Sequence, residues 1–180
     1  SGAGSNFEAI AKAAKENRLH VDLKLLVCDQ PGAGVLAIAE KYPIPTSLVP
    51  FAGNKTEHEE KILKVLREHE VQWLVFAGYM RIISESFLRE YWDSSRNCFR
   101  VLNIHPSLLP AFPGKDSYRQ AWNHGSKVTG VTVHFVTAGC DNGPIVAQRS
   151  LDIKENDTLE SVMRRGLQIE HQLYAETLEK

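Results

Sequence analysis

Apolar and polar positions run along this chain in two rhythms, and the switches between them mark out its elements. Phe7, Ile10 and Ala14 recur at helical spacing in FEAIAKAAKEN behind an S-x-x-E pattern at Ser5 to Glu8, so a capping box is expected to open a helix near residue 5. A continuous apolar run, LKLLVCD over 23–29, reads as a buried strand, and GVLAIAEKY over 34–42 as a helix stopped by Pro43. The T-x-x-E pattern at Thr56 to Glu59 opens a helix to about His69, followed by a strand, WLVFAG, over 73–78 and a short helix around 84–91. A further strand starts at Val101, and a helix over 117–124 is closed by Gly125. VTGVTVHFV over 128–136 alternates, with Val131, Val133 and Phe135 on one face. PIVAQRSLDI over 144–153 reads as the last strand, and Asp157 and Glu160 are placed to cap a long final helix. Strands and helices in this alternation predict an α/β protein with a Rossmann-like, mostly parallel central sheet, helices on both faces and an antiparallel edge made by the last two strands.

Bulk properties narrow the class. A chain of 180 residues, 43% of them hydrophobic, suits a single domain over 1–180 that buries about 70% of its unfolded surface. A formal net charge of -1 and the lack of a Lys/Arg block argue against a nucleic-acid partner and for small-molecule substrates. Cys28, Cys98 and Cys140 are odd in number and scattered, which fits free thiols in a reducing, cytoplasmic setting. No run of roughly 18 apolar residues suggests a membrane span. Nothing in the pattern indicates an oligomeric state.

The chemistry concentrates in RVLNIHPSLLPAFPG, from Arg100 to Gly114. Residues two apart on a strand share a face, so Asn103 and His105 are expected to point the same way, and Pro106 ends the ladder directly after them. An amide donor beside a group that titrates near neutral pH can hold an oxyanion while a proton moves. Both lie at the carboxyl end of a central strand, where open α/β sheets place their ligands. Asp141, in the turn CDNGP, is the third candidate, although Asp and Asn before Gly are also ordinary turn chemistry. A metal site made from His105, His134 and Asp141 is set aside, because His134 lies on another strand and no close His pair exists. At the start of the chain, Gly2 and Gly4 precede the first helix as they would in a phosphate-binding turn, with the N–H groups of Gly4, Ser5 and Asn6 at the positive end of the helix dipole. An ordinary chain terminus with a good N-cap suits the same residues equally well, and so short a pattern does not separate the two.

These segments, together with SGAGSN, FAGYMRIIS and VTGVTVHFVTAGCDNGPIVAQ, resemble the phosphoribosylglycinamide formyltransferase family, the folate-dependent enzymes of purine synthesis, from Ser1 to about Tyr174. The resemblance implies a short strand ahead of SGAGSN and a final helix continuing past Lys180. It implies that Asn103, His105 and Asp141 are catalytic. It further implies that Gly4, Ser5 and Asn6 hold the phosphate of glycinamide ribonucleotide, with Pro106 and Glu170 beside its ribose and glycinamide parts. Lys55, Met80, Arg81, Ile82 and Ile83 would line the folate site with Asn103, and the loop Thr137, Ala138, Gly139, Cys140 and Asp141 would close over the pteridine ring. Two positions depart from the family pattern: Lys55 stands where some relatives have Arg, losing bidentate carboxylate geometry, and Leu167 stands where some have Gln.

The implied co-substrate is 10-formyltetrahydrofolate, and no metal is implied. The amine of the ribonucleotide would attack the formyl carbon. Asn103 and a protonated His105 would hold the resulting oxyanion, and Asp141 would keep His105 charged. A formyltetrahydrofolate hydrolase is the nearest alternative, but relatives of that kind carry a second His where this chain has Pro106. A tRNA formyltransferase would need a basic tRNA-binding domain that the charge balance does not provide. A non-catalytic nucleotide-binding module with the same fold is the remaining possibility.

Overall fold

The computed structural model describes residues 3–180. Its elements are α1 (Ser5–Lys15), β1 (Leu26–Cys28), α2 (Gly34–Ala39), β2 (Thr46–Leu48), α3 (Lys55–Glu68), β3 (Leu74–Phe76), α4 (Glu85–Arg89), β4 (Trp92–Asp93), β5 (Cys98–Phe99), β6 (Val101–His105), α5 (Ser117–Asn123), β7 (Val128–Phe135), β8 (Ile145–Asp152) and α6 (Leu159–Leu178). Gly2, part of the expected phosphate turn, lies outside the described residues.

A four-stranded sheet in the order β3-β6-β7-β8 forms the centre. β3 and β6 pair parallel, whereas β6–β7 and β7–β8 pair antiparallel, and β1–β2 form a separate parallel pair. The α/β class and the antiparallel edge are as expected, but that edge takes in two ladders, so the central sheet is mixed rather than mostly parallel. The physical reason is that a strand, helix, strand pattern sets the alternation of elements and not the direction of the return. Residues 106–127, with α5 among them, leave and re-enter at the same end of the sheet.

β6 shows why both faces are covered. Leu102 and Ile104 pack with Ile10 and Ala13 of α1, Leu173 and Tyr174 of α6, and Val131 and Val133 of β7. Val101, one step out of phase, packs with Ile62 and Leu66 of α3 and Phe87 and Leu88 of α4. Burying each such aliphatic side chain contributes roughly 1.5–3 kcal/mol. The period of two therefore puts Asn103 and His105 on the Val101 side, and their register is held by the pairing of Phe76 with Asn103 and of His105 with Thr132. Tyr174, fully buried, ties the two parallel strands together by donating its hydroxyl to the carbonyls of Phe76 (2.9 Å) and Leu102 (3.1 Å).

The helix caps differ from the sequence reading. Gly4 is the N-cap of α1 in the left-handed region (φ 88°), and no side chain caps this helix, so the expected Ser5 box does not form. A Cβ at Gly4 would lie 2.7 Å from the Cα of Val35, so the missing side chain is what lets α1 start against α2. Asn54, rather than Thr56, caps α3 by accepting from the N–H groups of Thr56 and Glu57. Glu59 turns away to accept from the Ser84 N–H at 2.9 Å. Thr158 and Ser161 form the reciprocal box of α6, while Asp157 accepts from the Lys154 N–H and the Ser161 hydroxyl and pairs with Arg165.

Between β1 and β3 opens a cavity of about 1100 Å³ lined by apolar side chains such as Leu25, Val27, Leu74 and Phe76. The polar residues at the end of β6 do not line it. Among the described residues no helix is long and apolar enough to cross a membrane.

Candidate active site

β6 delivers Asn103, half-buried, and His105, 4% exposed, to the carboxyl end of the sheet. Pro106 follows, and the segment after it folds back as a lip stapled to the sheet. Thr132 of β7 donates its hydroxyl to the Ser107 carbonyl (2.7 Å) and accepts from the Leu109 N–H (3.0 Å), and Gln148 of β8 donates to the Leu109 carbonyl (2.9 Å). The Leu109–Pro110 peptide is cis.

Asp141 reaches the same point from the loop between β7 and β8. Its backbone is left-handed (φ 49°), a conformation Asp tolerates, and a Cβ at Gly143 would lie 1.8 Å from the Phe135 carbonyl oxygen, so Gly there allows the loop to hug the end of β7. The carboxylate sits 3.3 Å from His105 Nδ1 through Oδ2 and 3.6 Å from His134 Nε2 through Oδ1. The Gly114 N–H donates to Oδ2 at 2.8 Å. The facing His134 imidazole is the main influence holding the Asp141 carboxyl well below its ordinary range; burial opposes it, and the Gly114 N–H and His105 add to it. Asp141 is therefore ionised at neutral pH.

His134 is the residue that sequence reasoning placed elsewhere. It pairs with Asn103 across β6 and β7, its Nε2 lies 3.5 Å from Asn103 Nδ2, and its Nδ1 lies 2.9 Å from the Phe135 carbonyl. The available signal was the alternation of VTVHF, which sends His134 to the face opposite Val133 and Phe135. The strand order needed to bring that face to Asn103 was not written in any local motif. His105, His134 and Asp141 thus do converge, at ion-pair spacings; among the described residues no cluster of three such side chains has the geometry to hold a metal.

On the expected nucleotide side, Asn6 of α1 donates to Glu170 Oε2 at 2.9 Å, and Tyr118 of α5 donates to Glu170 Oε1 at 3.2 Å. Burial pushes the Glu170 carboxyl up, against these two hydrogen bonds. Tyr118, a second residue unrecognised from sequence, thus links α5 to α6 beside the start of α1.

On the expected folate side, Met80 and Ile82 are exposed while Ile83 packs into the core with Phe87 and Leu88. Arg81 pairs with buried Asp29 at 2.8 Å and lies 3.9 Å over the Phe51 ring. Asp29, Gly32, Met80, Arg81 and Lys115 line a cleft of about 540 Å³, which runs from this loop to the lip. Lys55, at the first turn of α3, pairs with Glu59 at 3.9 Å. In the loop before Asp141, Thr137 donates its hydroxyl to Asn142 at 2.5 Å, and Ala138, Gly139 and Cys140 are exposed.

Taken together, the end of β6 offers an amide donor beside the His134 imidazole, and two imidazoles, His105 and His134, at ion-pair distance from one ionised carboxylate. One side of this cluster leads to a buried carboxyl near a helix start, the other to an exposed apolar loop. Such a set can hold a developing oxyanion and pass a proton between two substrates.

The chain is similar along its whole length to known proteins. The formyl transferase family matches residues 1–178. Phosphoribosylglycinamide formyltransferase of Bacillus subtilis is 44% identical over 182 residues, covering 100% of this chain and 90% of that protein. The crystal structure of phosphoribosylglycinamide formyltransferase from Bacillus halodurans superposes with a TM-score of 0.92 at 40% identity, covering 99% of this chain and 90% of that one. Glycinamide ribonucleotide transformylase 1 from Geobacillus kaustophilus gives a TM-score of 0.91 at 42% identity, covering 99% and 93%.

Proposed function

The chain belongs to the formyl transferase family, and we infer from that premise that Asn103, His105 and Asp141 carry its reaction. It transfers the formyl group of 10-formyltetrahydrofolate to the amine of 5-phosphoribosylglycinamide, a step of purine synthesis. The observation that supports the assignment of these residues is the meeting of His105 Nδ1 with the ionised Asp141 at 3.3 Å, one residue pair along β6 from the Asn103 amide.

The amine attacks the formyl carbon, a new C–N bond forms, and the carbonyl electrons move to oxygen. The Asn103 amide donates to that oxyanion. The C–N10 bond of the folate then breaks as N10 accepts a proton, while the former amine gives one up. Net proton movement is one, from amine to N10, and His105 carries it with Asp141 stabilising the imidazolium. His105 Nε2 is turned inward to the Phe112 carbonyl (2.9 Å) and Ser117 Oγ (3.0 Å), so Nδ1 is the nitrogen left for this exchange. Removing one oxyanion donor typically costs about 2.7–4 kcal/mol in the transition state, which sets the scale of Asn103's contribution.

The substrate sites follow the same division. The start of α1 at Gly4, Ser5 and Asn6 takes the ribonucleotide phosphate, with Glu170 and Pro106 beside the rest of the nucleotide. Lys55 and residues 80–83 flank the folate, and the Thr137 to Asp141 loop covers its ring. Incubating the protein with 10-formyltetrahydrofolate, with and without 5-phosphoribosylglycinamide, tests the reaction. Tetrahydrofolate is expected only when the amine is present; release without it would make the protein a hydrolase, and no release with both would make it a binding module.

A further inference from the structure

We propose that Ser117 is a positioning residue for the reaction, closing a ring of hydrogen bonds and one ion pair that fixes both His105 and Asp141. This rests on the reading that His105 carries the proton. Ser117 Oγ lies 3.0 Å from His105 Nε2 and donates to the Gly114 carbonyl at 3.2 Å. The N–H of the same Gly114 donates to Asp141 Oδ2 at 2.8 Å, and that oxygen lies 3.3 Å from His105 Nδ1. The circuit runs from the back of the imidazole, through one glycine, to the carboxylate at its front. A shift of the serine hydroxyl therefore reaches His105 at both nitrogens.

The ring also sets what each nitrogen of His105 faces. The Phe112 carbonyl, 2.9 Å from Nε2, can only accept. The Ser117 hydroxyl, with its own hydrogen directed to Gly114, presents a lone pair to the same nitrogen. Acceptors therefore face both ring nitrogens, the Phe112 carbonyl at Nε2 and the Asp141 carboxylate at Nδ1, and Nδ1 is the nitrogen beside the catalytic carboxylate. Ser117 is 1% and His105 4% exposed, so water does not substitute for these partners.

The backbone is arranged for this purpose by three alternate residues in the left-handed region: Phe112 (φ 53°), Gly114 (φ 82°) and Asp116 (φ 56°). Two of them are not glycine, which is uncommon and costs backbone strain. Their conformations aim the Phe112 carbonyl at the imidazole and start α5 at Ser117. The titratable groups around His105 are Asp141 directly, His134 of β7 through the other carboxylate oxygen, and Cys140, whose thiol lies 3.4 Å from Asp141 Oδ2; α5 contributes only the neutral serine.

Steady-state kinetics across pH for the wild type, Ser117→Ala, Ser117→Thr and His105→Ala, with urea midpoints of the Ser117 variants, test the proposal. Ser117→Ala is expected to lower kcat roughly 10- to 100-fold, as a small misplacement of a catalytic group does, to keep KM for each substrate within about twofold, and to move the pH midpoint of kcat. Ser117→Thr, which keeps the hydroxyl, is expected to retain most of the wild-type kcat. An unchanged kcat and pH midpoint in Ser117→Ala, alongside lost turnover in His105→Ala, would overturn the proposal and leave the proposed function standing. A Ser117→Thr variant with the wild-type urea midpoint but a kcat as low as that of Ser117→Ala would overturn it too. Wild-type kcat in His105→Ala would remove the reading beneath it.

Discussion

Asn103 and His105 show what a single residue's place in a strand decides. Their two-residue spacing and the proline that follows were enough to put both on one face at the carboxyl end of β6. Asp141 was harder to read, because CDNGP has the composition of any tight turn, and its role depends on a carboxylate meeting a ring 36 positions earlier. His134 and Ser117 carried no local mark at all, since each matters only through a partner brought close by the fold. For Asn103→Ala, kcat should fall by roughly 10²–10³ with little change in either KM, and turnover at the wild-type rate would remove Asn103 from the oxyanion. Asp141 also leaves a signature in stability. Its folded pKa is depressed below the ordinary value of 3.8, so the unfolded chain binds the extra proton first, and the stabilisation is present above about pH 4 and is lost as pH falls toward the folded value. Urea midpoints of the wild type and Asp141→Asn should therefore converge on going from about pH 7 to about pH 3. A gap that stays constant with pH would show that this carboxylate is not preferentially ionised in the fold.

At the level of elements, the strongly periodic segments were legible and the weak ones were not. The stripe of Phe7 and Ile10 in α1 and the alternation in β7 are long enough to dominate their windows. β2, by contrast, is three residues between Pro45 and Pro50, and β4 and β5 are two residues each, too short for any period to show. Caps were misplaced by a residue or two for a related reason: several Ser, Thr, Asn and Asp side chains stood near each helix start, and packing chose among them. α6 illustrates how an element also supports a site from beneath. Its Tyr174 reaches through the core to the carbonyls of Phe76 and Leu102, one residue before Asn103. Tyr174→Phe keeps the ring and deletes only these bonds, so it should destabilise the protein by about 1–3 kcal/mol, read as a lower urea midpoint, because two buried acceptors lose a donor. No change in midpoint would mean that the hydroxyl does not tie β3 to β6.

For the whole molecule, the α/β class followed from the order of elements, while strand direction did not, because the chain after β6 turns back at the same end of the sheet. That turn runs β7 back along β6 and sets His134 opposite Asn103. The loop after β7 then starts beside Val101, at the other end of β6, and returns along the strand so that Asp141 reaches His105. The mixed sheet is thus the feature that assembles a site from three distant stretches: the end of β6, the lip before α5 and the loop after β7. Single-turnover formation of tetrahydrofolate, with both substrates saturating, tests this account most directly when the wild type is set beside His105→Ala. A general acid–base group of this kind contributes about 10²–10⁴-fold, so the rate should fall by that factor in the variant while both substrates still bind by calorimetry. An unchanged single-turnover rate would contradict the assignment of the reaction to the end of β6.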